Sequence, residues 1–84
     1  MTRHDLNAKG LLCPLPVLRA RKALKPLAAG DTLMVEATDI AAPADFAAYC
    51  TATGNRLLSS EREGNVFRIE LEKTEARTET RADG

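Results

Sequence analysis

Of the two cysteines and one histidine in this 84-residue chain, Cys13 is the side chain best placed to do chemistry. It lies in the run Gly10-Leu11-Leu12-Cys13-Pro14-Leu15-Pro16. Prolines at alternate positions after a cysteine suit the first turn of a helix, where the missing N–H would have had no partner. The spacing predicts Cys13 as the N-cap, Pro14 as the first helical residue and Pro16 as the third. Free amides and the positive end of the helix dipole favour an anion there. Cysteines at such sites ionise at about 3.5–7.5, against about 8.5 for a free thiol. An N-cap side chain accepts from the second or third helical amide. Pro16 has none, so Leu15 N–H is the expected donor and Val17 N–H the next. The expectation is an exposed, stabilised thiolate, a nucleophile for exchange at sulfur that needs no general base. The competing reading is a packed thiol, the commonest fate of a free cysteine; the helix start and the flanking prolines favour the first.

The other candidates are weaker. Cys50 falls on an apolar helical face and is expected in the core. Its functional alternative is a resolving thiol for Cys13, which would make the protein a thiol redox sensor. The cysteines lack the spacing of a metal or redox motif, and His4 completes no ligand set with them. Neither a metal, a cofactor nor a structural disulfide is expected. His4 is expected at the surface, and Lys9 as a solvated turn lysine.

Leu6-Asn7-Ala8-Lys9-Gly10-Leu11-Leu12-Cys13-Pro14-Leu15-Pro16 resembles the signature of the TusA/SirA/YeeD family of small sulfur-carrier proteins. That pattern is roughly Leu-Asp-x-x-Gly-Leu-x-Cys-Pro-x-Pro, with a persulfide carried on the cysteine. The likeness runs on through Gly30, Asp39, Asp45, Cys50 and Gly54 and covers about residues 4–73. Asn7 departs from the usual aspartate, and Ile40 from a proline that commonly follows the residue matched by Asp39. The resemblance implies that Cys13 carries sulfane sulfur, with Gly10, Pro14, Leu15 and Pro16 in supporting roles. It implies a cysteine desulfurase or rhodanese-like donor and a downstream sulfur-relay acceptor protein, in tRNA thiolation, molybdenum-cofactor assembly or sulfur oxidation. It also implies a four-stranded mixed sheet with two helices on one face and the cysteine exposed at the end of the first strand.

The elements that must position Cys13 can be read along the chain. His4 to Ala8 is expected as a first strand, and Gly10 offers the freedom a tight turn needs. Pro14 to about Lys25 is the clearest helix, with Val17, Ala20, Leu24 and Leu27 at helical spacing on its buried face. Lys25 precedes Pro26, which disfavours helical geometry and ends the helix. Thr32 to Thr38 alternates as a half-buried strand, with Met34 on the outer face. Asp39 is expected to cap a second helix from Pro43 to Thr53, closed by Gly54. Phe46, Tyr49, Cys50 and Thr53 share its face. Asn55 to Glu61, with Leu57 and Leu58 as its apolar part, and Val66 to Lys73 read as two strands of a hairpin around Glu63-Gly64-Asn65. The order is βαβαββ: an α/β two-layer sandwich with the first two strands parallel through a right-handed crossover. Residues 1–73 form one domain, and 74–84 read as a disordered charged tail.

Charge narrows the partners. Net charge is zero with twelve basic and twelve acidic residues. Residues 1–30 hold six basic side chains and one acidic, giving +5; the remainder carries −5. Tight unaided nucleic-acid binding needs a clear basic surplus, and three aromatics, Phe46, Tyr49 and Phe67, are few for base stacking. A small RNA-binding module using the basic first helix is therefore the second reading. A docking surface for an acidic protein partner, built on Arg19 and Lys22 beside the reactive sulfur, fits better. No apolar run is long enough to span a membrane, and no signal-peptide pattern is present. The expectation is a cytoplasmic monomer.

Overall fold

The computed structural model describes residues 2–74. The tail expected over 74–84 lies outside the described residues from 75 onward. Thr74 itself is tied down: its N–H donates to Asn55 Oδ1 at 3.1 Å and its hydroxyl to the Gly54 carbonyl at 3.1 Å.

Six elements follow in the order β1 (Arg3–Ala8), α1 (Leu15–Leu24), β2 (Thr32–Ala37), α2 (Ala42–Thr53), β3 (Arg56–Glu63) and β4 (Val66–Glu72). The sheet order is β1-β2-β4-β3. β1 and β2 are parallel, β4 is antiparallel to β2, and β3 closes a hairpin with β4. The mixed sheet and the βαβαββ order are those expected.

Alternation decides which face is covered. Leu33, Val35 and Ala37 of β2 are buried, as are Phe67, Ile69 and Leu71 of β4. Their neighbours Glu36, Arg68, Glu70 and Glu72 lie on the other face, where Arg68 bridges Glu36 (3.3 Å) and Glu63 (3.7 Å). The helices cover the apolar face with Pro16, Ala20 and Leu24 from α1 and Ala42, Phe46 and Cys50 from α2. Cys50 is a core residue, and its thiol is pushed up by burial.

Local expectations needed correction at three places. Val17 and Leu27 are only half-buried, and Pro16 takes the inward position instead. Leu57 and Leu58 are exposed, because β3 is an edge strand whose register shifts between Leu57 and Ser59; a bulge there breaks the inward alternation. α2 starts at Ala42 with Ala41 as its cap residue and no side-chain cap. Gly54 closes α2 as expected, at φ 85° with its N–H donating to the Cys50 carbonyl at 2.8 Å.

The far end of the sandwich is held by a single lysine. Lys73, just past β4, donates from Nζ to the carbonyls of Leu24 (2.9 Å), Lys25 (3.0 Å) and Leu27 (2.8 Å). The last carbonyls of a helix have no partner within it. Lys73 caps α1 from 46 or more residues away in sequence.

Candidate functional site

Parallel pairing places the C-terminal ends of β1 and β2 side by side, with Ala8 opposite Ala37. The chain leaves both strands at the same edge of the sheet, so the segments 9–14 and 38–41 must lie next to each other. They are laced together. Gly10 N–H donates to Thr38 Oγ1 at 2.9 Å, and Cys13 N–H donates to Asp39 Oδ2 at 2.7 Å. Gly10 adopts φ +84° with open space where a Cβ would stand. The glycine is required by backbone conformation, not by crowding; a side chain there would cost about 1 kcal/mol. Asn7 Oδ1 accepts the Lys9 N–H at 3.0 Å, starting the same turn.

The core beneath is built from alanines: Ala8, Ala37 and Ala42 are all but inaccessible. Small side chains let α2 begin close above the strand ends. Asp45, in the first turn of α2, then reaches the cysteine. The Cys13 sulfur and carboxylate oxygens of Asp39 and Asp45 all lie within 4.8 Å of one another. Cys13 itself is exposed. Leu12, next to it in the chain, is 69% exposed and Ile40, next to Asp39, 77%, with Leu15 and Leu18 of α1 about half exposed. Large apolar side chains left in solvent on a small protein are candidates for contact with a partner.

This arrangement overturns the expected cap. The helix begins at Leu15, Pro14 is its cap residue, and no side chain caps it. Cys13 therefore precedes the cap. Leu15 N–H, the anticipated donor to sulfur, goes to the Leu12 carbonyl at 2.8 Å. The sulfur meets acceptors, the carboxylate oxygens of Asp45 and Asp39, within 4.8 Å. Hydrogen bonding to Asp45, partial desolvation, and the charges of Asp45 and Asp39 hold the Cys13 thiol above its ordinary pKa. Two full negative charges outweigh the half charge of a helix N-terminus. The surroundings oppose the stabilised thiolate expected from the sequence, because they disfavour the charged form of Cys13. Nor does Lys9 offset this, because its Nζ faces Glu36 at 3.6 Å.

A family profile described as "Sulfurtransferase TusA" matches residues 4–73. The chain belongs to the TusA family. A relative from Allochromatium vinosum named "Sulfur carrier protein TusA" is 44% identical over 71 residues, covering 84% of this chain and 93% of its own length. A relative from Neisseria meningitidis serogroup A named "Putative sulfur carrier protein NMA0882" is 48% identical over 69 residues, 82% of this chain and 93% of its own. Among solved structures, a SirA-like protein from Desulfitobacterium hafniense superposes with a TM-score of 0.74 at 26% identity, covering 86% of this chain and 99% of that one.

The TusA signature residues of this chain sit at one edge of the sheet. Gly10 shapes the turn, Pro14 occupies the cap position, Leu15 is exposed at the first helical position and Pro16 is buried at the second. Arg19 and Lys22 are exposed on α1. With Leu15 they follow i, i+4, i+7 spacing, so one helical strip carries apolar and then basic side chains away from the sulfur. In the sequence Asp39 reads as a helix cap, and Asp39 and Asp45 match the family pattern, but neither is placed beside the cysteine. In the structure Asp39 serves chiefly the Cys13 amide; its bond to the Ala41 amide is long, at 3.5 Å. The available signal was the parallel β1–β2 pairing, which already implied that whatever follows β2 meets Cys13. The thiol and two carboxylates make a cluster that sequence spacing, which pointed to no metal set, did not reveal. Asp39 spends both oxygens on backbone amides.

Proposed function

We propose that this protein is a sulfur carrier that accepts sulfane sulfur on Cys13 and passes it to an acceptor protein. The supporting observation is the exposed Cys13 on the connection from β1 to α1, with Leu12 and Leu15 exposed beside it in the chain and Ile40 exposed next to Asp39. A carrier must offer one sulfur atom to two successive protein partners, and exposure with apolar side chains left in solvent serves that need. In loading, the Cys13 thiol loses its proton and its sulfur attacks the outer sulfur of a donor persulfide. The new S–S bond forms as the donor's own S–S bond breaks. The donor leaves as a thiolate that takes up a proton, and Cys13 holds Cys–S–SH. Delivery repeats the exchange, with the acceptor's sulfur attacking the terminal one.

A cysteine desulfurase or a rhodanese-like protein is the donor class, and the partner docks an acidic surface on Arg19 and Lys22. The carrier acts as a sulfurtransferase in the cytoplasm, as residues 1–73 folded alone. The RNA-binding alternative loses its support, because Phe46 and Phe67 are buried and Tyr49 is half-buried; stacking needs exposed rings. The test is intact-mass analysis after incubation with a cysteine desulfurase and free cysteine. Wild type gains one sulfur atom and Cys13→Ser gains none. Equal loading of the two would refute the assignment.

A further inference from the structure

The fold surrounds the Cys13 sulfur with negative charge. From the β2–α2 connection comes Asp39, anchored on the Cys13 amide at 2.7 Å. From the first turn of α2 comes Asp45, whose carboxylate lies within 4.8 Å of the sulfur. On the cysteine's own connection Lys9 is turned to Glu36. On α1 the first basic residue is Arg19, six positions beyond the sulfur. The charge next to the reacting atom is thus acidic, although the first 30 residues carry +5.

We propose that Asp45, backed by Asp39, is a positioning residue that restrains Cys13: the two carboxylates, within 4.8 Å of the sulfur, place negative charge beside the reacting atom and repel anionic small thiols and disulfides, so that exchange waits for a partner presenting a cationic side chain beside its own sulfur. The inference rests on Cys13 being the sulfur-carrying residue. It deepens that reading by stating how a carrier with an exposed sulfur avoids losing its cargo to soluble thiols.

The restraint acts in both directions. When a thiol's pKa lies above ambient pH, each further unit cuts the thiolate tenfold and restores only part as nucleophilicity, a net loss of about three- to fourfold in exchange rate. A thiol of higher pKa is also the poorer leaving group. Unassisted loading and unassisted discharge at Cys13 are therefore both slow. A lysine or arginine of the partner, paired with Asp45, lifts the restraint only inside the docked complex. A partner that covers the exposed Leu12 and Leu15 excludes water there and strengthens the pairing.

Three variants of the full chain separate these ideas: Asp45→Asn, Asp45→Glu and Cys13→Ser. The first readout is the rate of Cys13 alkylation by neutral iodoacetamide across pH. The second is the ratio of exchange rates with cystamine, a cationic disulfide, and oxidised glutathione, an anionic one. In each exchange the Cys13 thiolate forms a mixed disulfide, and the displaced thiolate is protonated by solvent. Wild type prefers cystamine. Asp45→Asn moves the alkylation midpoint to lower pH and raises the neutral-pH rate by about threefold or more. It also compresses the cystamine preference, and added salt does the same to wild type. Asp45→Glu keeps the charge and stays near wild type, which a merely structural role would not produce. Unchanged alkylation and an unchanged disulfide ratio in Asp45→Asn, with thermal melting confirming its fold, would overturn the inference and leave Cys13 as carrier. Desulfurase loading of Cys13→Ser would instead overturn the carrier reading, whatever Asp45 does.

Discussion

Replacing Lys73 by methionine keeps the aliphatic stem and removes the ammonium, so it isolates the contribution of one charged cap. The ammonium donates to three carbonyls at 2.8–3.0 Å, those of Leu24, Lys25 and Leu27. A hydrogen bond to a charged group contributes about 1.5–3 kcal/mol net. The three share one ammonium and do not add. The Lys25 contact is solvent-exposed while the other two are part-buried. After the substitution water can reach the first of these carbonyls, but it replaces the other two less well. A loss of about 2 kcal/mol follows, near the lower part of that range. For a domain of this size each kcal/mol moves the melting temperature by about 4–8 °C, so the expected drop is about 8–16 °C. Urea titration followed by circular dichroism should show a lower midpoint with an unchanged slope, the mark of altered stability at constant exposed surface. Lys73→Arg should fall between, because a planar guanidinium cannot point three donors at one helix end as an ammonium does. A loss under about 0.5 kcal/mol for Lys73→Met would refute the cap as a stabilising device and reduce it to a surface contact.

Reversing Arg19 and Lys22 together to glutamate should slow sulfur transfer from the protein donor severalfold at low salt, with the difference shrinking as salt rises. Transfer rates equal to wild type at all salt concentrations would remove these residues from the docking surface. Asp31 accepts the amides of Thr2 (3.0 Å) and Ala28 (3.1 Å), and these bonds hold its carboxyl below the usual carboxylate range. A depressed native pKa gives stability that is present above the unfolded value, about 3.9, and is lost as pH falls through the native one. Urea midpoints of wild type should therefore fall more steeply below about pH 4 than those of Asp31→Asn; parallel acid limbs would contradict this.

Much of the fold was legible because its signals are local. The alternation of Leu33, Val35 and Ala37, and of Phe67, Ile69 and Leu71, marked two inward-facing strands, and all six are buried. Gly54 marked the end of α2 and sits in the left-handed conformation that ends helices. Less was legible where partners lie far apart in the chain. Leu57 and Leu58 read as the apolar part of their strand, but that strand is at the sheet edge and bulged, so apolar residues there report no burial. Pro16 looked like helix punctuation, and its ring is instead part of the core face of α1.

By itself, the sequence determined that one cysteine would stand at a proline-braced helix start after a parallel strand, in a TusA-like βαβαββ sandwich. Those features depend on spacing within a few residues and on the few connections available to such an order. Only the tertiary structure decided the chemistry of that cysteine. Its electrostatic surroundings come from Asp39 and Asp45, 26 and 32 positions along the chain, brought to the sulfur because parallel β1 and β2 end at the same edge. A helix start favours an anion, but charges contributed by another loop and another helix reverse that preference. A thiol's pKa is a sum over neighbours in space, and spacing along the chain does not reveal them.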